Sequence, residues 1–309
     1  MIALRLQGGL GNQLFQYAAA RALADSLGRD LGLDLRDFTA YERRRRLAGL
    51  PIIGARLARG DTPRPYLLDR YSVRARVLNP LGLTLRGFPN SRRWRRVLRR
   101  VGLGRGLLVQ EQEPGHRSGL FGEVRGAGFA YLDGYWQSWR YFEDRRPALL
   151  ADLTLRRPPL GANKAMLERV RACKAVCVHV RRGDYVSLPD AAAFHGLMGP
   201  AYYRAAVKRL GAGARGATFF VFSDEPEWAR KHLVLPGKKV VVDHNSVHEP
   251  EEDLRLMAAC RHFILANSSL SWWGAWLGAW PGKRVVAPRQ WFKAGPPMPD
   301  LCPPGWSRL

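Results

Sequence analysis

Between residues 175 and 287, short β-branched and aromatic runs alternate with helical segments, and this alternation limits the chain to very few architectures. The spacing predicts strands over 175–180, 218–222, 239–243, 263–267 and 284–287, with helices over 201–210, 225–231, 251–260 and 269–279 between them. Each strand is too short and too apolar to stand alone. Strand–helix–strand repeats of this length build βαβ units around a parallel sheet. The N-terminus starts in the same manner, with an apolar run over 2–6, a glycine turn, an alanine-rich helix and a second strand over 30–35. The expected fold class is therefore α/β with two Rossmann-like domains, 1–160 and 161–309. The first carries an irregular insertion rich in Arg, Gly and Pro between 41 and 130.

A chain of 309 residues has the length for two such domains. Fifty basic residues against twenty-six acidic give a formal net charge of +24. Such an excess attracts anionic partners, whether phosphorylated substrates, nucleic acid or an acidic membrane surface. Forty-two of the basic residues are arginine, a skew that genome composition also produces, so a solvated basic surface explains most of them. The run SRRWRRVLRRVG sets Trp94, Val97, Leu98 and Val101 at helical spacing among arginines. It reads either as a surface helix packed on its domain or as a peripheral contact with anionic membrane. The shorter run 43–46 reads as a solvated loop.

Exclusions sharpen this picture. The chain has no zinc-finger spacing, no RRM signature and no clear helix-turn-helix, so a basic nucleic-acid-binding protein remains an alternative carried by charge alone. No nucleic acid partner is expected. Cys173, Cys177, Cys260 and Cys302 form no CxxC pair, which favours reduced thiols over a disulfide framework or a metal site. With no apolar run long enough to span a bilayer and no signal-peptide pattern, a cytoplasmic protein is expected, peripheral at most to the inner membrane.

Three strand ends carry the chemistry. In AVCVHVRRGD a buried-looking strand delivers His179, Arg181, Arg182 and Asp184 to its carboxyl end, where open α/β sheets bind ligands. Adjacent guanidinium forks suit a diphosphate. In FILANSSLSWWGAW, Asn267, Ser268, Ser269 and Ser271 open a helix whose N-terminal N–H groups and dipole favour an anion. Trp272, Trp273 and Trp276 read as core. In FSDEPEW, Ser223 and Asp224 either contact a nucleoside or cap the next helix.

Taken together, HVRRGDYV, FSDEPEW and NSSLSWWGAWLG, with GGLGNQLFQYA before them and YLDGYWQSWRYF between, resemble the alpha-1,2-fucosyltransferase family. The resemblance implies a GT-B-like pair of Rossmann-like domains facing across a cleft. It also implies GDP-beta-L-fucose as donor substrate, with transfer by inversion to the 2-hydroxyl of a galactose-type residue in a glycan acceptor. No metal or other cofactor is expected, since arginines can neutralise a departing diphosphate. Arg182 with Arg181 is assigned to that charge, while His179 either orients the loop or contacts GDP. By resemblance Asp224 helps recognise guanosine, and Glu225 stands where an aspartate is common, which leaves its contact open. Asp184 is the nearest carboxylate for the base, although a structural bond to its neighbouring arginines explains it as well. His195 and Tyr202 face the acceptor or pack. Trp139 and Arg140 replace an acid and a lysine common in that segment of the family.

The opening loop admits a second enzyme class. Gly8-Gly9-Leu10-Gly11 after a strand, with Asp34 some twenty residues on, is reminiscent of an NAD site. Against this, Leu14 occupies the position of the third glycine. The loop reads instead as a wall of the active site, where Gly9 and Gly11 allow close approach and Asn12 and Gln13 touch donor or acceptor.

Overall fold

A computed structural model describes residues 1–38, 65–85, 106–183 and 193–309. The chain divides into two compact units, Met1–Thr154 and Leu155–Leu309. The arginine runs 43–46 and 92–100 lie outside the described residues, as does Asp184.

The first unit is built on a five-stranded sheet in the order β3-β2-β1-β5-β4. Its strands are β1 (Ile2–Arg5), β2 (Leu31–Asp34), β3 (Arg76–Val77), β4 (Leu107–Gln110) and β5 (Ala130–Asp133), and every pairing is parallel. Helix Leu10–Ser26 follows β1 and buries most of its length, including Ala18, Ala20, Ala22 and Ala24. Alanine serves here because it loses no side-chain entropy and lets the helix lie close to its neighbours. The strand order changes direction between β1 and β5. In open parallel sheets ligands bind beyond the strands' carboxyl ends at such a point.

The second unit holds a six-stranded parallel sheet in the order β11-β10-β9-β6-β7-β8. These are β6 (Ala175–Val180), β7 (Thr218–Ser223), β8 (Lys238–Val242), β9 (His262–Ile264), β10 (Val285–Ala287) and β11 (Ser307–Arg308). All six residues of β6 are buried, as a central strand covered on both faces requires. Alternation divides its side chains between two cores. Ala175 and Cys177 pack with Phe220, Phe222, Leu256, Met257 and Ala275. Val176, Val178 and Val180 pack on the other face with Phe219, Val221, Tyr203, Ala206 and Leu210. Helices Pro200–Leu210, Pro226–His232 and Pro250–Ala258 all begin with proline, whose fixed φ suits a first helical turn. Trp272 and Trp273 are fully buried and Trp276 nearly so, which makes them core residues.

Every strand and helix expected after residue 175 is present with ends shifted by a few residues. The sequence reading missed β11, helix Gly161–Arg171 and the strands β3 to β5. Among the described residues no helix is long and apolar enough to cross a membrane.

Candidate active site

In the second unit the strand order reverses between β6 and β9, because β6, β7 and β8 run one way and β9, β10 and β11 the other. Ligands in open parallel sheets bind beyond the carboxyl ends at such a reversal. Three neighbouring strands, β9, β6 and β7, end there, at the usual strand spacing of about 4.8 Å. The three motifs are thereby brought to one edge, with Arg181 and Arg182 in the middle.

The arginines are held by the loop after β7. The Arg182 backbone N–H donates to Asp224 Oδ1 at 2.9 Å, and Arg181 Nη1 pairs with Asp224 Oδ2 at 3.0 Å. Arg182 Nε donates to Glu225 Oε2 at 2.9 Å, and its guanidinium carbon lies 4.1 Å from the centre of the Trp228 ring. Gly183 is required at the bend, since a Cβ there would sit 2.8 Å from Asp224 Oδ2. Ser223 Oγ accepts the Glu225 N–H at 3.0 Å and closes the turn. Ser223 therefore shapes this loop, and Asp224 joins two strand ends. The extra methylene of Glu225, which left its contact open in the sequence, reaches Arg182. Trp228 was missed, although FSDEPEW contains it; nothing in one sequence marks which arginine an aromatic ring will cover.

His179 sits behind this cluster, 5% exposed. Burial, with the neighbouring Arg181 charge, pulls its pKa down to about 3, so the ring is neutral at physiological pH. Its carbonyl accepts the Tyr203 hydroxyl at 3.1 Å, and its Nδ1 is a buried polar atom with no hydrogen-bond partner. Such an atom is a common mark of a site that receives a ligand or water. On the other side of β6, helix Ser269–Leu277 opens with Ser268 as its N-cap residue. The Trp272 N–H makes a bond to the Ser268 carbonyl, and the Leu270 and Ser271 N–H groups lie ahead of it on the turn where the helix dipole favours an anion.

Several expected site residues make contacts within the protein. Asn267 is 2% exposed, and its Nδ2 donates to the carbonyls of His195 at 2.8 Å, Trp291 at 3.3 Å and Gly196 at 3.4 Å. Through this amide nitrogen it ties two loops together. Ser271 Oγ donates to the Ser268 carbonyl at 3.1 Å. The Tyr202 hydroxyl donates to the Leu265 carbonyl at 2.7 Å, and burial pushes its pKa well up. His195 lies among Phe194 and Phe292, with ring centroids 5.0 and 5.4 Å away. For Asn267, Ser271 and Tyr202 the common reason is that a buried polar group must find a partner, and backbone carbonyls are the nearest.

The first unit presents its own strand-end loop. Gly8 has φ +77°, and a Cβ there would meet Asn12 Nδ2 at 2.8 Å. Gly9 is the N-cap residue of helix Leu10–Ser26, and Gly11 is buried in its first turn. Asn12 Oδ1 accepts from Gln137 Nε2 at 2.8 Å, which joins the loops after β1 and β5. The Gln13 amide donates to the Gly8 and Pro65 carbonyls and accepts the Leu67 N–H, all within 3.0 Å. It straps the 65–67 segment to the loop. Trp136, at φ +55°, is held by Glu111, whose carboxylate accepts the Tyr135 and Trp136 N–H groups at 2.6 and 3.1 Å. Burial raises the Glu111 pKa.

The NAD reading fails on Asp34. Arg36 binds its carboxylate through Nε and Nη2, and the Tyr131 hydroxyl donates to the same group. A ribose would have to break that network. Among the described residues no three His, Cys, Asp or Glu side chains gather as a metal-binding group.

Residues 118–294 match the family described as glycosyl transferase family 11. The chain is 31% identical to an alpha-1,2-colitosyltransferase of Escherichia coli, over 100% of this chain and 99% of that protein. It is equally 31% identical to the O-antigen biosynthesis glycosyltransferase WbnK of Escherichia coli, over 98% and 99%. Among solved structures it is similar to fucosyltransferase NodZ from Bradyrhizobium, with 14% identity, a TM-score of 0.49 and coverage of 89% of this chain and 90% of that one. The matched segment contains all three strand-end motifs, and the chain belongs to glycosyl transferase family 11.

Proposed function

We propose that this glycosyltransferase moves L-fucose from GDP-beta-L-fucose to the 2-hydroxyl of a galactose-type residue in a glycan, with inversion. The observation that carries the reading is the pair of arginines set side by side at the β6 end and held there by Asp224 and Glu225. Two fixed guanidiniums meet the charge that develops on a departing diphosphate, and no proton need be given to that leaving group. The N-terminal turn of helix Ser269–Leu277 faces the same edge and favours the same charge. The named activities of relatives supply the sugar and linkage. A galactoside 2-alpha-L-fucosyltransferase of Mus musculus is 24% identical over 90% of this chain and 64% of that protein.

Neutral His179 contacts the donor through a ring nitrogen rather than acting as a base, since its pKa of about 3 leaves it uncharged and weakly basic. Asp184 is the carboxylate assigned to take the acceptor proton. In the first unit Gly9, Gly11 and Asn12 are assigned to donor or acceptor, and in the second unit His195 is assigned to the acceptor. The enzyme works without a metal, in the cytoplasm, where its basic excess draws it to anionic lipid.

The test is a transfer assay with GDP-fucose against a panel of terminal galactosides, followed by linkage analysis. A 1,2-linked product is expected. A GDP-colitose arm belongs in the panel because the colitosyltransferase relative covers the full chain. Turnover of that donor with none of GDP-fucose would replace the sugar and keep the mechanism. Arg182→Ala should lower GDP affinity in calorimetry, and unchanged affinity in folded protein removes Arg182 from the diphosphate site.

A further inference from the structure

We propose that Glu225 and Trp228 are positioning residues that hold the Arg182 guanidinium in the one orientation that presents its end-on fork to the donor diphosphate. This rests on the reading of Arg182 as a diphosphate residue. A guanidinium is a planar group with two useful edges and two faces. In the second unit, the Nε edge of Arg182 is occupied by Glu225 Oε2 at 2.9 Å. Trp228 covers one face, 4.1 Å from ring centre to guanidinium carbon. The backbone of Arg182 is fixed independently by Asp224. What remains is the edge carrying Nη1 and Nη2, and among the described residues neither atom has a partner.

The chemistry of Glu225 distinguishes positioning from ligand binding. A carboxylate beside a diphosphate repels it, so direct electrostatics toward the ligand give no reason for an acid here. Its value is orientational. A free arginine side chain loses rotamer freedom when it binds, whereas one already held on an edge and a face loses little. Trp228 adds an attraction between cation and ring that does not compete for the Nη donors. Arg181 and Arg182 are adjacent like charges. Their separate anchoring, on Asp224 and Glu225 respectively, offsets that repulsion.

The alternative role for Glu225 is that of a competitor occupying Arg182 until the donor displaces it, and the two roles predict opposite signs. GDP affinity by calorimetry, with kcat and the KM of each substrate, is measured for wild type and for Glu225→Ala, Glu225→Gln, Trp228→Leu, Trp228→Phe and Arg182→Ala. Circular dichroism confirms that each is folded. Positioning predicts about tenfold weaker GDP binding for Glu225→Ala and about two- to fivefold for Trp228→Leu. Glutamine, which keeps an accepting oxygen, and phenylalanine, which keeps a ring face, should each restore most of the loss. Donor KM and kcat should change while acceptor KM does not, a split that general destabilisation does not produce. Combining Glu225→Ala with Arg182→Ala should add nothing to Arg182→Ala alone. Tighter GDP binding in Glu225→Ala would overturn the proposal in favour of competition. Unchanged binding in both Glu225→Ala and Trp228→Leu, with Arg182→Ala defective, would overturn it while leaving the diphosphate reading intact. Unchanged binding in Arg182→Ala removes both.

Discussion

Two titrating side chains in the second unit pull stability in opposite directions with pH. His179 has its pKa lowered to about 3 by burial first and the Arg181 charge second. Between that value and the unfolded value near 6.5, the unfolded chain holds a proton that the folded chain refuses, so stability falls as pH falls through this window. The slope for one group is at most about 1.4 kcal/mol per pH unit. Asp253 has the reverse sign, because burial, opposed by the Asn245 hydrogen bond and aided by neighbouring acids, raises it to about 6. There the folded chain holds the extra proton between the unfolded value and 6, and stability is lost as pH rises. Denaturant titrations from pH 4 to 7 should therefore show a shallower acid limb for His179→Gln. Asp253→Asn should gain stability relative to wild type as pH rises, since the Asn245 amide at 2.8 Å can still donate to an amide oxygen; a gain that shrinks with pH would reverse the assignment. With its pKa at about 3 in the free enzyme, His179 should give no inflection near pH 6.5 in the profile of kcat/KM.

Loops joining elements carry the remaining local predictions. Gly183→Ala places a Cβ against Asp224, and the carboxylate that must give way holds both the Arg182 backbone and Arg181. We expect weaker GDP binding with only a small change in melting temperature, because the sheet beneath is untouched. Gln13→Ala should behave in the opposite manner, losing at least about 2 kcal/mol of stability in denaturant titration, since it leaves the buried Leu67 N–H and two carbonyls without their partner. GDP affinity of the folded fraction should be unchanged. The contrast explains what could be read from the sequence at this level. Strand ends bearing arginines and acids stood out as a pattern because every second-unit element is short and regular. Whether Gln13, Asn267 or Tyr202 faced a ligand or a carbonyl did not, because their partners, residues 65–67, 195–196, 291 and 265, are brought near only by loops whose paths carry no periodic signal.

The charge of +24 acts on the chain as a whole. Self-repulsion of that size destabilises a compact state, and salt relieves it over a screening length of about 10 Å at 0.1 M. Melting temperature should rise as sodium chloride is raised from 20 to about 200 mM, while GDP affinity falls because the same ions screen the diphosphate. A melting temperature that drops with salt would show that attractive ion pairs, such as Arg36–Asp34 and Arg21–Asp152, outweigh the repulsion. From hydrophobic alternation alone the α/β class, the parallel second sheet and the edge that carries the three motifs were legible, because a buried strand must be apolar along its length and a parallel neighbour must return through a helix. The first sheet's β3, β4 and β5 were not, since they lie in a stretch rich in Arg, Gly and Pro where no regular alternation of strand and helix frames them. Tertiary structure alone decided which arginine edge stays open, that Trp228 lies under it, and that the inviting Asp34 is already bound. Arg182 lies more than forty positions from Glu225 and Trp228, and Asp34 lies 97 positions from Tyr131, which binds it together with the nearby Arg36; only folding brings such distant residues within reach.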